Sequence, residues 1–288
     1  MKLFQSSNQR ANSREYQIQN LDPQKNHCEI YHLTTGYEFP WDTVKALELA
    51  LMKTFCIPSI SRLLDKTGEF HHRPQKRYDD TAIIVSEISK WGYDSDRGLA
   101  AIARMNEIHG RFRIANEDFI YVLSTFICEP IRWNERFGWR KMYEQEKLAT
   151  FYFWNEVGKR MQIMDIPPTY AELMKFNREY EAKNFVYSDA NRRVGESTRD
   201  LFLSWFPPLI RPLVKPATSA LFDPNMLNAF GFPEPPVYVR SLVENTLKIK
   251  GRIVRYLPQR KQSDFFIDKP TRTYPSGYEI HNLGADRN

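Results

Sequence analysis

The ten residues Phe119 to Cys128 read FIYVLSTFIC. Placed on a helix, the run shows apolar side chains on nearly every face, so it is read as the most buried element of the chain. Asn116 stands where its cap belongs, Glu117 and Asp118 fill the first turn, and Pro130 is read as its end. A helix that is apolar all round must be surrounded by others, and the sequence on both sides supplies them at helical spacing.

Upstream, Ser95 and Asp96 cap a helix from Arg97 to His109, which Gly110 stops. Before it, a helix from Arg77 to Trp91 ends at Gly92, with Asp79 and Asp80 placed in its first turn. Further back, Asp42 to Phe55 and Pro58 to Leu64 read as helices, and Gly68 to Pro74 as a loop carrying His71 and His72. Downstream, helices are predicted over Glu144 to Arg160, Thr169 to Asn184, Asp189 to Trp205 and Val237 to Tyr256. The prolines between Phe206 and Pro236 predict short helices and corners. No internal repeat and no run of alternating strands interrupts the pattern, so the fold class is all-α. The expected organisation is a polar arm over residues 1–30, one helical domain over 31–260 and an extended tail over 261–288.

Composition excludes several alternatives. Only 12 of the 288 residues are Gly, against 18 Pro. That is sparse beside the roughly 7% Gly of an average chain. No G-x-G-x-x-G and no P-loop occurs, which disfavours nucleotide-phosphate chemistry. A chain of this size buries roughly three quarters of its unfolded surface and needs no disulfides. Cys56 and Cys128 sit in apolar runs and read as buried small hydrophobes. With Cys28 they form no metal pair, so a reducing, cytoplasmic setting is expected. The net charge is +6, but no run of five Lys or Arg concentrates it, so nucleic acid is not an expected partner. The basic balance leaves room for peripheral contact with an anionic membrane. The N-terminal stretch lacks an apolar core, so no signal peptide is expected, and no run is apolar enough to span a bilayer.

Chemistry narrows to a few residues. Six histidines occur, without a zinc-hydrolase spacing between any pair. His71 and His72 read as exposed loop side chains. His109 ends its helix on the face that carries Ile102, Met105 and Asn106, and so looks toward the apolar Phe119 helix. An imidazole buried there is either a core side chain bonded to a carbonyl or a metal ligand. Arg77 and Thr81 lie four apart on one helix face, with Asp80 beside them. They could cap a helix start with a surface ion pair, or bind an acidic group and order water. Glu129, Arg132 and Trp133 follow the apolar run, and read equally as an internal ion pair with stacking or as the lining of a cofactor pocket.

These residues fall within a broader resemblance. The segments RLLDKTGEFHHRPQKRYDDT (Arg62 to Thr81), RMNEIHGRFRIANEDFIYVLSTF (Arg104 to Phe126) and EPIRWNERFGWR (Glu129 to Arg140) resemble the MpaB-type oxygenases and, more distantly, the rubber oxygenases called latex clearing proteins. So do WNEVGKRM (Trp154 to Met161), LFDPNMLNAFGFPEPP (Leu221 to Pro236) and GRIVRYLP (Gly251 to Pro258). The resemblance implies a globin-like helical core that binds haem b through one histidine and uses dioxygen to cleave carbon–carbon double bonds of isoprenoid chains. His109 matches the family's iron ligand, and Arg77 and Thr81 match its distal Arg-x-x-x-Thr. Met105 and Arg132 are placed with Arg77 and His109 around the cofactor. Arg77, Asp80 and Thr81 are taken as the catalytic group, acting on an apolar, polyprenyl-like substrate. Latex clearing proteins carry a lysine where this chain has Asp80, so their lysine gating does not transfer. Glu69 is the candidate for the family's catalytic glutamate. Two other readings stay open: a haem peroxidase or monooxygenase on another apolar substrate, and a non-catalytic module whose basic residues Arg252, Arg255 and Arg260 hold a partner or a membrane.

Overall fold

Four helices begin with proline at their first turn, where its fixed backbone angle suits the helix and its missing N–H costs nothing. They belong to a set of fourteen in the computed structural model, which describes residues 14–285. The first thirteen residues of the expected polar arm and the last three of the expected tail lie outside the described residues. In chain order the helices are α1 (Arg14–Asn20), α2 (His27–Leu33), α3 (Pro40–Thr54), α4 (Pro58–Thr67), α5 (Glu69–His72), α6 (Pro74–Trp91), α7 (Asp96–His109), α8 (Asn116–Phe137), α9 (Glu144–Arg160), α10 (Tyr170–Asn184), α11 (Asp189–Ser204), α12 (Arg211–Val214), α13 (Pro224–Phe230) and α14 (Val237–Tyr256). No strand occurs among the described residues, and the all-α class holds. Among them, no helix is long and apolar enough to cross a membrane.

The apolar run does form the centre. Along α8, Ile120, Leu123, Ile127 and Ile131 are buried, and α3, α9, α10 and α14 all pack against it. Its ends differ from the expected ones. The helix continues through Pro130 to Phe137. Proline forfeits one ladder hydrogen bond, but Trp133 and Phe137 beyond it enter a second apolar cluster with Ala46, and that burial carries the helix on. At the other end Ala115 is the cap residue. Asn116 instead pairs with Met164: its amide donates to the Met164 carbonyl at 2.8 Å and its carbonyl accepts the Met164 N–H at 3.0 Å.

The α6 start also moves, to Pro74, three residues before the expected Arg77. Asp79 and Asp80 therefore lie beyond the first turn, where their carboxylates serve other partners. The loop expected at Gly68 to Pro74 holds the short helix α5, on which His71 and His72 are exposed. Ser95 caps α7 by accepting the Gly98 N–H at 3.0 Å, as expected.

Within the stretch expected as a polar arm, α1 and α2 each carry one apolar anchor. Ile18 and Ile30 are fully buried against Ala149 of α9. The chain from Asp264 onward runs extended, with single turns at Phe266–Asp268 and Ile280–Asn282, along α6 and α7. It is pinned rather than loose: Phe265 and Leu283 are buried, and Arg104 Nε donates to the Leu283 carbonyl at 2.7 Å.

Candidate functional site

α7 ends at Gly110, and its last residue, His109, turns its ring edge-on toward Phe119 of α8, with centroids 5.5 Å apart. The His109 Nδ1 is buried and has no hydrogen-bond partner. Burial holds this imidazole neutral, and the positive charge of Arg77 adds to the effect, so its pKa falls from 6.5 to about 4. An orphaned buried ring nitrogen costs on the order of 1–3 kcal/mol, and such a cost persists at sites where a ligand later satisfies it. The lone pair of a neutral imidazole is also what a metal ion requires. Among the described residues, no three His, Cys, Asp or Glu side chains gather to hold a metal.

Arg77, on α6, is the charge that faces this imidazole. Its guanidinium donates to the Thr81 hydroxyl one turn on, and its Cζ lies 5.3 Å from the Phe70 ring centroid. Thr81 in turn donates to the Arg77 carbonyl at 2.9 Å. Burial lowers the Arg77 pKa, with the charges of Asp80 and Glu69 opposing. Among the described residues no carboxylate forms a salt bridge with it; Glu69 pairs instead with Arg73 at 2.7 Å. A half-buried, nearly uncompensated guanidinium is costly as pure structure, and it is suited to meet an anion or developing negative charge.

Asp80 faces elsewhere. Its carboxylate accepts from Lys76 at 2.8 Å, from the Gly284 N–H at 2.9 Å and from the Tyr274 hydroxyl. Asp79 accepts the Thr273 N–H at 2.9 Å and the Gln75 amide at 3.1 Å. These acids tie the C-terminal tail to α6 on either side of the Arg77 turn.

A cavity of about 70 Å³ opens between α3, α6 and α8, walled by Leu47, Leu51, Ala82, Val85, Phe126 and Phe266. A smaller one of about 30 Å³ lies between α3, α5, α6 and α11, walled by Met52, Phe55, Phe70, Arg77, Leu201 and Phe202. Glu48, Leu51, Tyr78 and Thr81 line both. The walls are largely apolar, and the polar groups are concentrated where the two spaces meet. There the Tyr78 hydroxyl donates to Glu48 at 2.8 Å, and Lys45 reaches the same carboxylate at 2.8 Å. Sequence reasoning missed Glu48 and Tyr78. Tyr78 adjoins Arg77 in sequence, but nothing in its spacing marks it, and Glu48 reads as an ordinary helix-face acid.

Arg77 and Thr81 are joined by a hydrogen bond and both line the smaller cavity, whereas His109 lines neither cavity and feels Arg77 through its charge. Met105, one turn before His109, is half-buried against the main core. Arg132 lines neither cavity. It donates to Glu129 and, at 2.8 Å, to the Asn177 carbonyl oxygen, within a cluster that Lys53 joins at 3.0 Å from Glu129 and 3.1 Å from Glu181. Trp133 donates to Asp42 at 2.9 Å. Of the two readings open for this segment, the internal ion pair is therefore formed. His71 bonds Asp65 and Ser197 at the surface, away from His109.

Comparison with known proteins follows the same residues. The chain is 28% identical over 268 residues to the protein named ER-bound oxygenase mpaB' of Penicillium brevicompactum, covering 86% of this chain and 63% of that one. It is 30% identical over 225 residues to ER-bound oxygenase mpaB of Penicillium roqueforti (strain FM164), covering 72% and 75%. Against ER-bound oxygenase mpaB of Penicillium brevicompactum it is 31% identical over 186 residues, covering 58% and 47%. The chain thus spans about half to three quarters of the length of these relatives. Residues 46–249, from α3 to near the end of α14, match the family described as "ER-bound oxygenase mpaB/B'/Rubber oxygenase, catalytic domain". With the matched stretch enclosing Arg77, Thr81 and His109, the chain belongs to the mpaB/B' and rubber oxygenase family and contains its catalytic domain.

Proposed function

We propose that the chain is an oxygenase that holds haem b through His109 and cleaves a double bond of an apolar, isoprenoid-like alkene with dioxygen. The observation that carries this reading is the His109 imidazole, neutral, buried and unpartnered at Nδ1, with the Arg77 charge beside it. One protein ligand would suffice to hold an iron whose other donors a porphyrin provides. The helical core around α8 is read, with the resemblance, as the globin-like scaffold for that group. When bound, haem supplies the activation of dioxygen, which no side chain can perform.

The chain's own residues do the rest. His109 anchors the cofactor. Met105 and Phe119 shield the imidazole and keep it in its neutral form. Arg77 holds a fixed positive charge where oxygen gains electron density during attack on the alkene. Thr81 fixes the Arg77 head and carries a hydroxyl proton on the cavity wall. Leu47, Leu51, Val85 and Phe126 exclude water and align an apolar chain. Asp80 acts on the site by position, holding α6 to the tail. The reaction balances without an added electron donor, since one alkene and one dioxygen give two carbonyl ends. All three cysteines are free, which suits a reducing compartment such as the cytoplasm.

The test is spectroscopic and then chemical. Purified chain supplied with haemin should develop a Soret band that His109→Ala lacks. With a polyprenyl substrate under labelled dioxygen, aldehyde and ketone ends should both carry label. A chain that binds no haem sinks the reading. A haem-bound chain that only oxidises dyes with peroxide replaces it with a peroxidase.

A further inference from the structure

We propose that the outer face of α14 docks the protein on an anionic lipid bilayer. Tyr238, Leu242, Ile249, Ile253 and Tyr256 are each between 51% and 74% exposed. On a helix these positions fall within about 60° of one another, so they form one narrow stripe roughly 27 Å long. The opposite face is the one used for packing: Leu247 joins the apolar cluster of Trp133 and Phe137, and Gly251 sits against the end of α8. The stripe is therefore a second apolar face that the fold leaves uncovered, on a helix that already buries its first.

Its rim decides the occupant. Arg252 borders the stripe, Lys248 and Arg255 follow round the same side of the helix, and all three are exposed. The helix has a single acid, Glu244, which lies on the same side as these cations but farther from the stripe, and is engaged by Arg136 at 3.1 Å and Lys248 at 3.6 Å. The turn Lys215–Ser219 packs against α14, and just before it Leu209 and Leu213 are exposed 90% and 78%, flanked by Arg211 and Lys215. Apolar groups interleaved with cations, with no free carboxylate among them, match a bilayer interface, where the side chains enter the acyl boundary and the cations meet anionic headgroups. A second copy of this chain would bring the same cations and the same +6 net charge against them, so the charge pattern favours lipid.

Vesicle flotation tests this with the whole chain. Vesicles of phosphatidylcholine with phosphatidylserine should carry the protein, vesicles of phosphatidylcholine alone should carry much less, and high salt should release it. Leu242→Ser with Ile249→Ser and Ile253→Ser should abolish flotation. Lys248→Gln, Arg252→Gln and Arg255→Gln should each weaken it roughly fivefold. These side chains are exposed, so the variants should keep the wild-type circular dichroism, and the charge variants test the idea even where an apolar variant fails to fold. Absence of flotation, or flotation unchanged by both sets of variants, overturns the proposal. So does concentration-dependent dimerisation in ultracentrifugation that the serine variants remove. The Soret test of His109 is independent of every arm.

Discussion

Protonation of His109 couples the site to stability. Its folded pKa of about 4 lies below the unfolded value of 6.5. As pH falls through 6.5 the unfolded chain takes up this proton, and the folded chain does not until pH nears 4. The contribution is thus intact above about pH 6.5 and is lost progressively between there and pH 4. In the cofactor-free chain, lowering the pH from about 7.5 to about 5 should cost the wild type about 2 kcal/mol more than it costs His109→Leu, read from urea unfolding. Arg77 and Thr81 make a different prediction. Removing one preorganised donor lowers turnover on the order of 100-fold, so on the haem reading proposed above Arg77→Leu should do so and leave the expected Soret band in place. Thr81→Val, which only loosens the Arg77 head, should cost turnover about 10-fold. The three residues were candidates in the sequence because helical spacing left their roles open and the family resemblance matched them. Glu48 and Tyr78 were not, because only the packing of α3 against α6 brings them together.

Elements show where local rules stop. Gly251 has ordinary helical backbone, so propensity alone favours alanine there by about 1 kcal/mol. Sterics oppose it: a Cβ would stand 2.6 Å from the Phe137 carbonyl oxygen and 3.1 Å from that of Gly138. Both contacts are backbone and cannot swing aside. Overpacking typically costs about 1–3 kcal/mol, so Gly251→Ala should be net destabilising by about 1 kcal/mol, measured by denaturant midpoint. The same competition explains the misplaced boundaries. The long helices were legible, because 3.6-residue periodicity and caps such as Ser95 lie within a few residues of one another, while the short α1, α2 and α5 were not. Pro130 was misread as a stop because the burial of Trp133 and Phe137 that outweighs it depends on Ala46, far away in sequence. The α6 start was misplaced because the acids at Asp79 and Asp80 looked like first-turn residues, when their partners are Thr273, Tyr274 and Gly284.

At the scale of the whole molecule, one group of buried charges is balanced across three helices. Lys53, Glu129, Glu181 and Arg132 join α3, α8 and α10 with two charges of each sign. Burial would lower the Lys53 pKa, but Glu129 and Glu181 outweigh it and raise it. Lys53→Met leaves two buried acids with one cation between them, and should cost about 3–5 kcal/mol of stability in thermal or urea unfolding. No sequence pattern announces such a cluster, since its members are joined only by tertiary contact. The pinned tail has a consequence of another kind. Lys76 reaches the Gly284 carbonyl at 2.7 Å across 208 positions, and Asp80 accepts from Gly284 across 204. On the ribosome, α6 and α7 emerge long before their clasp is made. The turn that carries Arg77 thus waits in the nascent chain until residues 273–284 have been made, and slow, long-range closure then gives it its final brace.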